Sequence, residues 1–189
     1  MPNTPAPTPS ARRGALERPV RPSLLDRLTD AAPHAAAERM PTRRESVEAY
    51  TQALRRDLEW LLNTRRQLAD VPEGLDELRR SLVRYGLPDS ASLLRDAPEA
   101  RARLLRAVEE AVTAFEPRLA GVRVVLRDAA DGAPLPANPG GARAAGALRF
   151  TVEGILRLEP EPERVVFDTV FEPSRSEYQV RGGGGLPDA

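Results

Sequence analysis

The chain contains no cysteine and no lysine, one histidine, and only 4% aromatic residues. Without cysteine there is no disulfide framework and no thiolate metal site. The one imidazole, His34, stands in an Ala-rich stretch, so neither a zinc cage nor a Ser-His-Asp triad is expected. No cofactor is expected. With so few rings, the core must be built from Leu and Val. No run approaches the about 18 apolar residues of a spanning helix. The opening MPNTPAPTPSARRGALERP has no apolar stretch of the kind a secretory signal carries. A soluble cytoplasmic protein without direct membrane insertion is predicted. No Gly-rich phosphate loop exists either, because GGAR and GGGG lack the lysine and the helix that should follow. No internal repeat is visible.

What is present is charge, in balance. Charged residues make up 30% of 189, all 28 basic ones are arginine, and the formal net charge is zero. An arginine-only basic set reflects a GC-rich coding sequence as much as any function. Zero net charge argues against bulk attraction to nucleic acid or membrane, and no nucleic-acid partner is expected. The doublets Arg12-Arg13, Arg43-Arg44, Arg55-Arg56, Arg65-Arg66 and Arg79-Arg80 do not make a stripe. Neighbours on a helix diverge by about 100°, and nearby acids neutralise most of them. A solvated helix face is the favoured reading.

Along the chain, residues 1–21 are rich in Pro, Ala, Thr and Arg and cannot bury enough apolar area to order themselves. A disordered tail is predicted. Within residues 1–40 the exception is a short amphipathic segment at 23–29. Ser23 can cap it, and Leu24, Leu25 and Leu28 share one side. It can dock on a partner or on its own domain.

The domain is predicted over 41–181. Thr42 and Glu45 form a capping box. Val47, Tyr50, Leu54, Leu58 and Leu61 then trace one helical stripe, ending near Asn63-Thr64-Arg65. Arg55, Arg56, Asp57 and Glu59 lie largely off it, and Trp60 is expected to cover the edge of the core. Residues 66–91 are heavily punctuated by Pro and Gly and are expected to form a compact, partly irregular connection anchored by Leu75, Leu78 and Leu82. A second long helix has its own box at Asp96 and Glu99. Its apolar face runs through Leu104, Leu105, Val108, Ala111, Val112 and Phe115. Pro117 stops it, since a proline disfavours α geometry at the preceding Glu116.

The remainder alternates with period two. Val122, Val124 and Leu126 share one face, as do Leu148, Phe150 and Val152, and Val165, Phe167, Thr169 and Phe171. Gly154 can mark a bulge. Residues 128–146 read as a long mobile loop and EPEPE (159–163) as a turn. Ser176 to Arg181 can form a last short strand, before a flexible Gly-rich tail at 182–189. Helices followed by a meander give an α+β fold: two long helices packed on a small antiparallel sheet.

The junction Glu116-Pro117-Arg118 is the candidate site. A glycosidase-like acid needs a second carboxyl across a cleft, for which Asp128 and Asp168 are conceivable. Arg118, two residues away, favours ionised Glu116, the wrong state for a general acid. The proline fixes the backbone between the two charges, so the unit can clamp helix to sheet or receive complementary charges from another chain. Arg118→Ala is expected to leave the fold intact while weakening partner binding. The short last strand, Glu177, Tyr178, Gln179 and Val180, is expected to leave unpaired amides and carbonyls for strand addition.

Several stretches together, RPSLLDRLTD, RDLEWLLNTRR, YGLPD, FEPRL and LRFTVEGILRLEPEPERVVFDTVFEPSRSEYQV, resemble the TssE family of type VI secretion baseplate subunits, which is similar to the small wedge protein of contractile-phage baseplates. The likeness spans about residues 21–181. It implies a structural rather than enzymatic role. It also implies docking onto other wedge subunits through Glu116, Pro117 and Arg118, and a sheet that receives strands from contractile sheath subunits and templates sheath assembly. The lysozyme-like label of the family suggests the alternative, a peptidoglycan hydrolase acting through Glu116. The loop at 128–146 is longer than the family usually carries, and the Pro-rich N-terminus is unusual for it.

Overall fold

The computed structural model describes residues 18–29, 40–67, 71–88, 98–127 and 147–182. The expected tail before residue 18, the box at Asp96, the loop at 128–146 and the tail beyond Gly182 lie outside the described residues.

The first helix, α1 (Leu24–Leu28), begins where Ser23 Oγ accepts the Asp26 amide. Its leucines do not enter the core: Leu24 and Leu28 are more than two-thirds exposed. The 21-residue α2 (Arg43–Asn63) opens on the Thr42–Glu45 capping box. Each partner satisfies an amide of the first turn that has no acceptor inside the helix. Leu54, Leu58, Leu61 and Leu62 are buried along it, at the three- and four-residue spacing of one helix face. Trp60 departs from expectation. It is half exposed, and its indole lies against the guanidinium of Arg56 at 4.8 Å instead of covering the core.

The connection after α2 contains a short helix, α3 (Asp76–Arg80), and a 3₁₀ turn at Leu82–Arg84. Two of its three expected leucine anchors do not hold, because Leu75 and Leu82 are exposed; Leu78 is half-buried, and the buried leucine is Leu87. Leu87 donates its amide to the Thr64 carbonyl at 2.9 Å and accepts the Arg66 amide at 2.8 Å. Those two bonds return the chain to the end of α2. Gly86 makes this possible with a positive φ of 98°, and a Cβ there would collide with the Thr64 carbonyl.

The 18-residue α4 (Pro98–Phe115) ends at the proline junction, and four strands follow: β1 (Leu119–Leu126), β2 (Leu148–Leu156), β3 (Glu163–Glu172) and β4 (Glu177–Gly182). They form one antiparallel sheet in sequence order. The protein is therefore α+β. The bulge expected at Gly154 lies on the opposite strand. The β1–β2 register shifts between Ala120 and Arg123, where Gly121 adopts φ +60° and two residues, Gly121 and Val122, stand opposite the single Gly154.

Helix α2 packs along β4 and α4 along β1. The inner face of the sheet (Phe150, Val152, Leu156, Val165, Phe167, Phe171, Tyr178 and Val180) joins the helix residues Leu54, Leu58, Leu104, Val108 and Val112 in one buried cluster. Each such leucine or phenylalanine contributes about 1.5–3 kcal/mol by leaving water. Among the described residues no helix is long and apolar enough to cross a membrane.

Candidate functional site

The chain leaves α4 at Phe115 and enters β1 at Leu119. Pro117 and the end of the helix force a tight corner: the Glu116 amide still reaches the Val112 carbonyl at 2.9 Å, while the Glu116 carbonyl accepts the Leu119 amide at 3.2 Å. That corner turns the Glu116 side chain inward, where the residue is only 5% exposed. Its Oε1 accepts from Arg118 Nε at 2.7 Å and from the Arg118 amide at 3.1 Å, and its Oε2 accepts from Arg118 Nη2. The result is a two-pronged carboxylate–guanidinium pair, the strongest class of charged hydrogen bond.

The pair does not stand alone. Arg118 Nη2 also donates to Asp57 Oδ2 at 2.7 Å. Asp57 Oδ1 in turn accepts from Arg56 Nε at 3.0 Å and Nη2 at 2.8 Å. Arg56 Nη1 reaches Asp26 of α1 at 2.9 Å. Charges thus alternate from Glu116 through Arg118, Asp57 and Arg56 to Asp26, tying the α4–β1 corner to α2 and α2 to α1. Burial would lower the pKa of the Arg118 guanidinium, but the Glu116 and Asp57 carboxylates outweigh it and hold the group above its ordinary range. Burial would likewise raise Asp26, but the Ser23 hydroxyl and Arg56 outweigh it and keep the carboxyl below its usual value. The Tyr50 ring lies 5.6 Å from the Arg118 guanidinium carbon, a cation–π spacing.

Of the two roles open to Glu116-Pro117-Arg118, the side chains adopt the clamp. The acid is consumed inside the molecule and does not project as a free charge. Asp57, Arg56 and Asp26, its extended network, were not foreseen: on the helical wheel Arg56 and Asp57 read as solvated, and nothing local links Asp57 to a residue 61 positions away. The hydrolase geometry finds no support. Both Glu116 oxygens are engaged, Asp168 falls between the inward-facing Phe167 and Thr169 and so lies on the other face of the sheet, and Asp128 is outside the described residues. Among the described residues no group of three or more His, Asp or Glu could hold a metal ion.

The sheet margin also differs from expectation. Asn63, the last residue of α2, donates from Nδ2 to the Tyr178 carbonyl and accepts the Tyr178 amide at Oδ1, both at 2.8 Å. Arg55 Nη1 donates to the Val180 carbonyl at 3.0 Å. The β4 margin, Glu177 to Val180, is therefore covered by α2 side chains at Tyr178 and Val180, because the helix packs directly alongside that strand. At the other margin the Val124 amide is taken by Glu109 Oε2 at 3.0 Å. Val125 and Leu126, at the far end of β1, are more than one-third exposed.

The profile described as "Baseplate wedge protein gp25" matches residues 48–161, well over half of the chain and including the junction. The chain belongs to the gp25 baseplate wedge family. A solved structure, "The baseplate complex from the type VI secretion system", is similar at 17% identity with a TM-score of 0.42, covering 66% of this chain and 95% of that one. No individually curated protein matches. Membership of the gp25 family makes a structural baseplate component the coarse identity of the molecule. The clamp at Glu116–Arg118 lies inside the span that defines the family.

Proposed function

We propose that this gp25-family subunit is a non-enzymatic cytoplasmic adaptor that docks on other baseplate wedge subunits at the Arg118 corner and offers its sheet to the first contractile sheath subunits. The observation that carries the docking reading is Arg118 Nη1. It is buried and has no hydrogen-bond partner among the described residues, although the charges of its own network, Glu116, Asp57, Arg56 and Asp26, are all hydrogen-bonded. A buried donor left open in an otherwise complete network is costly, and a partner whose docking opens the corner can supply the missing acceptor, a carbonyl or a carboxylate. The Glu116–Pro117–Arg118 clamp sets the direction in which that donor is held.

For the sheath, the covered β4 margin favours strand addition at β1, where Val125 and Leu126 form an exposed apolar end. Residues Glu177, Tyr178, Gln179 and Val180 then act as the braced side of the sheet. Arg118→Lys keeps the charge but removes the planar fork. Provided circular dichroism shows the variant folded, it should lose co-purification with wedge subunits. Leu126→Glu should retain the wedge subunits and lose the sheath. Undiminished capture of wedge subunits by the folded Arg118→Lys protein would refute the docking reading. Wall lysis by the wild type that Glu116→Gln abolishes would favour the hydrolase instead.

A further inference from the structure

Beside the clamp lies a cleft of about 620 Å³ between the N-terminal segment, the start of α2 and the turn leaving β2. Its lining brings together Arg18, Arg21, Arg43 and Arg157 with a single carboxylate, Glu159. What sets the cleft apart is that its arginines converge on one concave surface. Arg44, Arg55, Arg56, Arg118, Arg164 and Arg175 each sit within 4 Å of a carboxylate. Around the cleft Arg18, Arg21 and Arg157 have no ion-pair partner among the described residues, and Arg43 uses Nη1 on the Arg18 carbonyl at 3.2 Å. In a chain of zero net charge, four guanidiniums with one acid make a local positive field.

The cleft is also built, not incidental. The Val20 amide donates to Ser46 Oγ at 2.9 Å, which fixes the N-terminal wall against α2. The Arg157 amide donates to the Arg118 carbonyl at 2.8 Å, which fixes the opposite wall to the clamp corner. Buried Leu158 and half-buried Val20 and Tyr50 supply apolar surface between the charges. Tyr50 is shared with the clamp, since its ring faces Arg118.

We propose that this cleft binds an acidic segment of a protein partner, an extended peptide whose carboxylates meet Arg21, Arg43 and Arg157 and whose apolar side chain rests on Val20 and Leu158. The guanidiniums come from three separate chain segments, which suits carboxylates spaced along a peptide. The apolar wall suits a side chain between them, whereas a lone phosphate would leave it uncovered. A nucleic-acid strand would require stacking platforms, and Tyr50 is the single ring in the lining. That the partner is another baseplate protein rests on the function proposed above. The cleft's preference for acidic peptide does not.

The test is a titration of the full-length chain, followed by amide NMR, with the blocked peptide Glu-Leu-Glu-Leu-Glu. Its Gln-Leu-Gln-Leu-Gln counterpart, inorganic phosphate and a single-stranded oligonucleotide serve as competitors. Shifts should localise to Val20, Arg21, Arg157 and Leu158, weaken with salt, and be absent for the glutamine peptide. In the double variant Arg21→Gln, Arg157→Gln affinity should fall about tenfold or more, as for loss of charge-assisted bonds. Both residues are exposed, so the fold should persist. Arg175→Gln, away from the cleft, should bind as wild type. Equal binding of the glutamine peptide, an unchanged affinity in the double variant, full displacement by phosphate or the oligonucleotide, or no binding at all would overturn the proposal. If it is overturned while Arg118→Lys still releases wedge subunits, the docking corner stands without the cleft.

Discussion

Arg118 and Asp57, 61 residues apart in sequence, are joined by a 2.7 Å bond between Nη2 and Oδ2. This bond fastens the corner between α4 and β1 to the middle of α2. It also makes a buried acid, Glu116, tolerable at that corner, because the guanidinium that neutralises Glu116 is itself held in place from the other side.

Arg118→Ala should therefore be a folding mutation, in contrast to the expectation from sequence that it would leave the fold intact. It strands the Glu116 carboxylate in a site only 5% exposed, and breaking one half of such a pair costs about 3–5 kcal/mol. Removing both charges, as Glu116→Gln with Arg118→Met, should recover most of the loss. Urea unfolding of the two variants against wild type checks both outcomes.

Gly86→Ala should destabilise through the return of the chain to α2. Position 86 combines φ +98° with a collision against the Thr64 carbonyl, so the bridge between Arg65 and Leu87 must open. A loss of about 1–3 kcal/mol follows from the strained backbone alone. Thermal unfolding should show it, while Gly74→Ala, where a Cβ meets open space, should cost less.

Asn63→Ala should uncover the β4 margin. Both backbone groups of Tyr178 lose their partner, worth about 1–3 kcal/mol for groups left unpaired. The Tyr178 amide should exchange with solvent faster, and the protein should self-associate more readily through the bared strand. Asn63→Asp should be intermediate, since it keeps the acceptor for the amide but sets a carboxylate against the carbonyl.

The α1 anchor should depend on pH. Asp26 has a folded pKa below its ordinary 3.8, so its contribution is complete above 3.8 and is lost as the pH falls through the lower, folded value. Helical chemical shifts of Leu24–Leu28 should be full at pH 6 and fade in acid below 3.8. In Asp26→Asn they should be weaker at pH 6 and show no such transition. Persistence of the wild-type shifts in strong acid would show that the Arg56 contact does not hold the helix.

Sequence pattern carried the elements because their causes are local. A capping box needs four consecutive residues, and Thr42 with Glu45 supplied it. The stripe through Leu54, Leu58 and Leu61 and the alternation of Phe150 with Val152, or of Val165 with Phe167, each follow from the geometry of one element. The α+β order and the meander follow from them, and FEPRL announced the corner. Misreadings arose wherever neighbours in space decide. Trp60 and Leu82 look like core residues, yet among the described residues no second surface covers them, and Leu87 becomes the anchor because the chain turns back on Thr64.

The sequence by itself determined where helices and strands form and which stiff corner carries an acid and a base, since propensity, capping and periodicity act over a few residues. Tertiary structure alone decided what those charges do. Asp57 and Arg56 enter the clamp and Asn63 and Arg55 cover the β4 margin, because hydrogen bonds and Coulomb attraction act across distances that chain order does not record, and the packing of three chain segments brings four arginines around one cleft.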